Sequence, residues 1–414
     1  MKKTVSFLLC LVIFACALSQ TCTAAVTKET EELSAAVSAT IKEEISEASA
    51  AADMPVEILA KSAVLIDVAS GEILIDYNKD EKLFPASVTK IMTVLLAAEA
   101  IDSGKITLAD KVTCSPNAAS KGGSQIWLKE GEVMTVDELL RAAMIGSAND
   151  AATLLGEYVA GDEEAFVNLM NTRAAELGMK NTHFVNATGL DDNIDDHLTT
   201  AYDISIMARE LMKHDFIRNY STVWMDSLRG GATELVNTNK LVRFYKGTTG
   251  LKTGTTSKAG CCVAATAERD GLHLCAVVLG SANSTERFET AKKMLNWGFA
   301  NYTTYTPEAS GESFADIPVI GGENDFVTPA VPELEPMLVK KGSEEKIKIE
   351  VSLCEDLQAP VLENQTLGTL YIKLGDETVA EYTVKPAAPV EKLTFAGLMR
   401  RVACAMAEFA AVNT

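Results

Sequence analysis

Ser87 and Lys90 lie three residues apart in Phe84-Pro85-Ala86-Ser87-Val88-Thr89-Lys90, just ahead of the apolar stretch Ile91-Met92-Thr93-Val94-Leu95-Leu96. Pro85 and Ser87 suit a helix start, and on such a helix the serine and lysine share a face, so the amine reaches the hydroxyl. A serine hydroxyl is a weak nucleophile until a base takes its proton, and a lysine can do so once burial or a nearby cation has made it neutral. The pair alone carries little weight. Ser343-Glu344-Glu345-Lys346 has the same spacing in a polar stretch before a strand, and most serines at such positions simply cap helices.

Two further groups follow in order. Ser147-Ala148-Asn149 sits in a short turn between helical segments, although Ser115-Pro116-Asn117 and Ser281-Ala282-Asn283 match the same pattern. Lys252-Thr253-Gly254 is the only Lys-Thr-Gly in the chain, close before a strand that starts near Gly260. Its lysine and threonine could hold an anion, and its glycine lets a ligand approach the backbone. A plain capping turn and a plain turn are the alternatives for these two sites.

The elements that must position these groups can be read around them. Residues 63–68 and 73–77, separated by Ala69-Ser70-Gly71-Glu72, form a hairpin. Helical patterns run from Ser87 to Lys213, and strands return as 261–268 and 272–279 around Arg269-Asp270-Gly271. A helix over 284–302 closes the unit. Strands first, helices between and strands last predict a sheet whose outer strands come from both chain ends, with helices packed on it, in the α+β or mixed α/β class. From Thr306 to about Val384 prolines cluster, and alternation in 346–351 and 369–374 marks a small β domain. Within residues 395–409, Phe395, Leu398, Met399, Val402, Met406 and Phe409 fall in an arc of roughly 100°. Such a helix suits a membrane surface; docking on the protein itself is the alternative.

Ser87-x-x-Lys90, Ser147-x-Asn149 and Lys252-Thr253-Gly254 together resemble the three motifs of penicillin-binding proteins and serine β-lactamases. The surroundings narrow the resemblance to low-molecular-mass D-alanyl-D-alanine carboxypeptidases. These are Pro85-Ala86-Ser87, Gly123-Ser124, Ser147-Ala148-Asn149-Asp150-Ala151, Phe184 to Leu190, Asn239-Lys240-Leu241 and Gly250 to Thr255. The resemblance is strong over about 54–302 and weaker beyond. It implies a β-lactamase/transpeptidase-like domain over 53–305 with an antiparallel sheet flanked by helices, a small all-β domain over 306–385 and an amphipathic helix in 386–414.

For the chemistry, the resemblance implies attack by Ser87 on the carbonyl between two terminal D-alanines of a peptidoglycan stem peptide, with Lys90 as general base. Ser147 would relay the proton to the leaving amine and Asn149 would hold the substrate amide. Lys252, Thr253 and Thr255, with Gly254 between them, would bind the terminal carboxylate, and the backbone N–H groups of Ser87 and Thr255 would form the oxyanion hole. β-Lactam antibiotics would acylate the same serine. A β-lactamase is the nearest rival, yet no Glu-x-x-Leu-Asn run follows Asn149 and the middle motif reads Ser-Ala-Asn. An endopeptidase would use the same residues, and a non-catalytic wall-binding or penicillin-sensing protein could share the fold.

The bulk composition agrees with an exported enzyme. The 414 residues carry a formal charge of -20, which argues against nucleic-acid or anionic-lipid binding over a broad surface. Lys2, Lys3, an apolar run over 5–18 and small residues ending at Ala25 read as a signal peptide, 1–25. Cys16 and Cys22 raise a lipid-anchor alternative, without a clean motif for it. A low-complexity spacer, 26–52, follows. Of the nine cysteines, six lie beyond the leader with neither disulfide-framework nor metal spacing, so buried thiols are expected. His183, His197, His214 and His273 are scattered; no metal and no cofactor is expected.

Overall fold

In the computed structural model, the described residues are 54–191, 194–309 and 314–412. The chain divides into two compact units, 1–57 and 58–414, and every element discussed lies in the second. The expected signal peptide and spacer fall outside the described residues.

Five antiparallel strands make the main sheet: β1 (Ser62–Asp67), β2 (Ile73–Tyr77), β3 (Thr248–Thr256), β4 (Gly260–Arg269) and β5 (Leu272–Ser281), in the order β2-β1-β5-β4-β3. The outer strands do come from the two ends of the unit. The first hairpin joins the last through β1 and β5, with Val64 opposite Val277 and Ile66 opposite Cys275. The β4–β5 turn is Asp270-Gly271, both at positive φ, as a two-residue hairpin turn of primed type demands.

Side chains alternate across the sheet. Val64, Ile66, Ala264, Cys275 and Val277 join the core that holds helices α1 (Lys90–Asp102), α2 (Val136–Met144), α3 (Asn149–Ala160), α4 (Glu163–Glu176) and α5 (Ala201–Leu211). Leu65 and Leu274 face the other way, onto Gly298 of α6 (Ser284–Asn301). The sheet is thus covered on both faces. α1 is apolar almost throughout and buried, which suits a central helix; α2 begins with a Thr135–Glu138 capping box, and Asp162, Thr200 and Asn283 cap α4, α5 and α6.

Three expectations need correction. The helix does not start at Ser87: residues Ala86–Thr89 form a 3-10 turn, opened by Ala86 at φ +48, and α1 begins at Lys90. The Lys-Thr-Gly segment, expected just ahead of a strand, is itself part of edge strand β3, which removes the plain-turn alternative. α6 ends at Asn301, since Tyr302 is extended and pairs with Lys340.

The β-rich segment has its own core of Phe314, Ile317, Val319, Val327, Val361, Leu367, Leu370, Ile372, Val384 and Val390. It is built on β6 (Ile347–Leu353), β7 (Gly368–Leu374) and β8 (Glu377–Pro386), where the sequence shows its alternation. α7 (Phe395–Val412) follows. Arg401 fastens it to this segment, donating to Asp325 Oδ1 at 2.6 Å and to the carbonyls of Gly322 and Glu323. Its apolar residues Phe395, Leu398, Met399, Val402 and Met406 are 46–78% exposed, so that face points outward from the described residues. The side chain of Phe409 lies outside the described residues. Cys114, Cys261, Cys262 and Cys275 are free and buried, whereas Cys354 is half-buried and Cys404 exposed.

Candidate active site

The 3-10 turn places Ser87 where β3 passes the start of α1. The left-handed Ala86 stores backbone strain directly before it, a feature that marks functional sites. The Ser87 hydroxyl caps no helix N–H; its partner is the amine of Lys90, 2.9 Å away. Lys90 is fully buried, and its Nζ also lies 2.6 Å from Asn149 Oδ1 and 3.1 Å from the Thr188 carbonyl oxygen. Among the described residues no carboxylate touches it. Burial, helped by the charge of Lys252, holds its pKa well below the ordinary lysine value, with Asp150 opposing weakly.

A neutral amine has two N–H bonds and one lone pair, and Lys90 has three neighbours. Asn149 Oδ1 and the Thr188 carbonyl have no proton to give, so they take the two N–H bonds. The lone pair is left facing Ser87, the one partner that carries a hydroxyl proton. The arrangement is that of a base aimed at its nucleophile.

Ser147 stands in the turn between α2 and α3 at φ +61, and its hydroxyl accepts from Lys252 Nζ at 2.8 Å. Lys252, fully buried on β3, also donates to the Thr253 carbonyl. Burial, reinforced by the nearby charge of Arg287, brings its pKa down to about 7. Thr253 donates to Thr238 Oγ1 at 2.7 Å. Thr255 is exposed at the mouth of the site. Gly254 is required by packing: a Cβ there would lie 2.7 Å from the Pro85 carbonyl oxygen and 2.8 Å from the Ser87 nitrogen. All eight residues singled out in the sequence converge.

Asn149 makes further contacts. Besides Lys90, it engages Gly122, whose carbonyl accepts from Nδ2 at 2.6 Å, and its own N–H donates to the Ser124 carbonyl at 2.7 Å. One Nδ2–H is left for a substrate amide, and the residue chiefly ties Lys90 to the 122–128 loop.

Several supporting residues escape sequence reasoning. Asn186 Oδ1 accepts from the N–H groups of Thr188 and Gly189 and from Thr188 Oγ1, and so aims the Thr188 carbonyl at Lys90. Residues 186–189 belong to the Phe184 to Leu190 stretch that carries the family resemblance, which assigns them no task. Arg287, on α6 and 7% exposed, donates to the carbonyls of Gly254 and Cys262 at 2.8 and 3.1 Å and to Thr255 Oγ1 at 3.0 Å. Nothing in its sequence neighbourhood signals that position. The decoys resolve as structural: Ser115 and Asn283 cap helices, and the Ser343 hydroxyl donates to the Lys340 carbonyl and leaves Lys346 alone.

Comparison with known proteins agrees with this geometry. Residues 47–283 match the family described as D-alanyl-D-alanine carboxypeptidase, and residues 302–392 match the penicillin-binding protein 5 C-terminal domain. The D-alanyl-D-alanine carboxypeptidase DacF of Bacillus subtilis is 41% identical over 83% of this chain and 88% of its own. Among solved structures, penicillin-binding protein 5 of Haemophilus influenzae is 29% identical with a TM-score of 0.70, covering 82% of this chain and 99% of its own. Penicillin-binding protein D2 of Listeria monocytogenes, solved with ampicillin bound, is 31% identical with a TM-score of 0.54, covering 59% and 99%.

Proposed function

The chain belongs to the D-alanyl-D-alanine carboxypeptidase family of serine peptidases, and from that premise we propose how its residues divide the work. The enzyme removes a terminal D-alanine by acyl transfer. The observation that carries the assignment is the buried Lys90 amine, 2.9 Å from the Ser87 hydroxyl and with the Asn149 Oδ1 and Thr188 carbonyl oxygens as its other neighbours.

Ser87 Oγ attacks the carbonyl of the penultimate D-alanine while its proton passes to Lys90. The tetrahedral oxyanion is held by the Ser87 and Thr255 backbone N–H groups, a type of contact commonly worth about 3 kcal/mol per donor. Ser147, bonded to Lys252, relays that proton from Lys90 to the leaving amine as the C–N bond breaks, which leaves Lys90 neutral again. D-alanine departs, and Lys90 then takes a proton from the water that hydrolyses the ester. Asn149 meets the substrate amide, and Lys252, Thr253 and Thr255 hold the terminal carboxylate against the Gly254 backbone. A β-lactam presents a strained, more electrophilic amide carbonyl to the same nucleophile and acylates Ser87, as befits a relative of a protein solved with ampicillin.

The lysines set the pH profile. Lys90 must be neutral to accept a proton, and Lys252 must be charged to hold a carboxylate. In the free enzyme kcat/KM rises as Lys90 loses its proton and falls as Lys252 does, at about 7. A bound carboxylate favours the charged form of Lys252 and raises its pKa. The alkaline limb of kcat is therefore expected at higher pH than that of kcat/KM, measured by D-alanine release from a pentapeptide. Coincident limbs would remove Lys252 from carboxylate binding.

We place the reaction in residues 53–305 and assign 306–385 as a separate β domain. A leader cleaved near Ala25 exports the chain, and α7 holds it on the outer face of the cytoplasmic membrane. No helix of the described residues is long and apolar enough to cross a membrane; the support for surface binding is the outward apolar face of α7, clamped by Arg401 from its polar side. Deleting residues from Lys392 onward should move the protein from the membrane to the soluble fraction with D-alanine release retained. An unchanged distribution would refute the anchor.

A further inference from the structure

His197 is 1% exposed and lies beside the turn that carries the nucleophile. Its Nδ1 faces the Val185 N–H at 3.1 Å, and its Nε2 faces Thr89 Oγ1 at 2.9 Å. A backbone N–H can only donate, so Nδ1 is the bare nitrogen, and Nε2 carries the proton and donates to the Thr89 oxygen. Thr89 ends the 3-10 turn that holds Ser87 and directly precedes Lys90. The ring is fixed further by Phe184, edge to face at 5.7 Å. Burial, aided by the charge of His183 and opposed by that of Asp196, brings its pKa down to about 4. The neutral ring, in this tautomer, is therefore the form present near neutral pH.

Val185 opens the segment whose carbonyl reaches Lys90. Asn171 of α4 binds the N–H and the carbonyl of Phe184, each at 2.8 Å, and Thr93 Oγ1 of α1 donates to the Ala187 carbonyl at 2.6 Å. Next in line, the Thr188 carbonyl meets the Lys90 amine. The segment also presses on the turn itself: a Cβ on Gly189 would overlap the Ala86 carbonyl and come within 2.6 Å of Thr89 Oγ1. Asn171 and Thr93 tie the segment to α4 and α1, whereas Ser87 stands ahead of α1 in the 3-10 turn. His197 joins these two pieces directly, with one nitrogen on the loop backbone and the other on the turn.

We propose that His197 is a positioning residue for acyl transfer: it fixes the Val185–Gly189 segment to the Ser87 turn, so that the Thr188 carbonyl keeps its place beside Lys90 and the amine stays aimed at the Ser87 hydroxyl. It acts through Thr89 and Val185, not on the reacting atoms. The proposal rests on the assignment of Ser87 as nucleophile and Lys90 as base. Without the ring the segment is released from the turn, water reaches Lys90 and the amine loses its fixed direction. Burial is the main cause of the low Lys90 pKa. Solvation therefore raises that pKa and leaves the base protonated up to a higher pH.

The full-length enzyme tests it, with acylation by a penicillin measured per titrated active site across pH, beside D-alanine release from a pentapeptide and thermal melting. His197→Ala should lower the acylation rate and kcat by about tenfold or more, with KM changed by less than about threefold. The acid limb of kcat/KM should move to higher pH by about one unit. Thr89→Val keeps the side chain's shape but removes the oxygen that Nε2 meets, and should shift the limb the same way by a smaller amount; Thr89→Ser, which keeps that oxygen, should match the unaltered enzyme. A His197→Ala protein that melts earlier and has fewer titratable sites, yet acylates at the normal rate per site with its acid limb in place, overturns the proposal. So does a folded Thr89→Val with normal rate and limb. Failure of the underlying assignment would show separately, as acylation undiminished in Lys90→Met.

Discussion

Ser87→Ala is expected to cut D-alanine release from a pentapeptide by about 10⁴-fold or more while the protein stays folded, because removing the nucleophile of such a unit leaves only binding and oxyanion stabilisation. The substitution deletes one oxygen from a half-buried turn residue whose hydroxyl caps no helix, so it leaves the helix start and the strained Ala86 backbone alone. Thermal melting should shift little. The loss should lie in kcat, since the carboxylate-binding strand and Asn149 remain. A variant that kept even a hundredth of the activity would mean that another group attacks the carbonyl.

Lys90→Met carries the second largest effect. Methionine fills nearly the same buried volume at the start of α1 but has no base to offer and no donor for Asn149 Oδ1 or the Thr188 carbonyl. The serine keeps its proton, and kcat for D-alanine release should fall by about 10³-fold or more, within the range that activating bases contribute. Acylation by a penicillin should slow in parallel, because both reactions need the same proton removed. If D-alanine release fell while penicillin acylation kept its rate, Lys90 would serve deacylation alone. Neutrality of the amine is central here. Its burial beside the charge of Lys252 favours the uncharged form, and for the same reason Lys252, equally buried and near Arg287, is brought to about 7.

Much of this site could be read from the chain because its chemistry is concentrated in three short strings. Ser87 and Lys90 are near in sequence and in space. Ser147 and Lys252 are far apart in sequence, and order along the chain, with the family resemblance, brought them together on paper before the 2.8 Å hydrogen bond did. The first and last hairpins were legible from alternation and from the Asp270-Gly271 turn.

Strand β3 was not legible. Its sequence, Thr-Thr-Gly-Leu-Lys-Thr-Gly-Thr-Thr, has no apolar alternation and two glycines, and it is a strand because β4 supplies its hydrogen bonds and α1's leading turn needs a side-chain-free surface to pass. The start of α1 was misread because proline and serine are good helix-start residues, while the positive φ of an alanine leaves no trace in sequence. Arg287 and Thr188 act through contacts 33 and 98 residues away, and a lone arginine on a helix or a carbonyl in a loop has no pattern to betray it. For α7 the periodicity was clear, but which way the apolar face points depended on Arg401 meeting Asp325 and the Gly322 and Glu323 carbonyls.

The central claim, that Ser87 becomes acylated with Lys90 as its base, is tested most directly by intact-mass spectrometry of the full-length protein after exposure to penicillin, with peptide mapping of the adduct. One penicilloyl group on Ser87, absent in Ser87→Ala and slow to appear in Lys90→Met, is the predicted result. An adduct on any other residue, or undiminished labelling of folded Ser87→Ala, would contradict it.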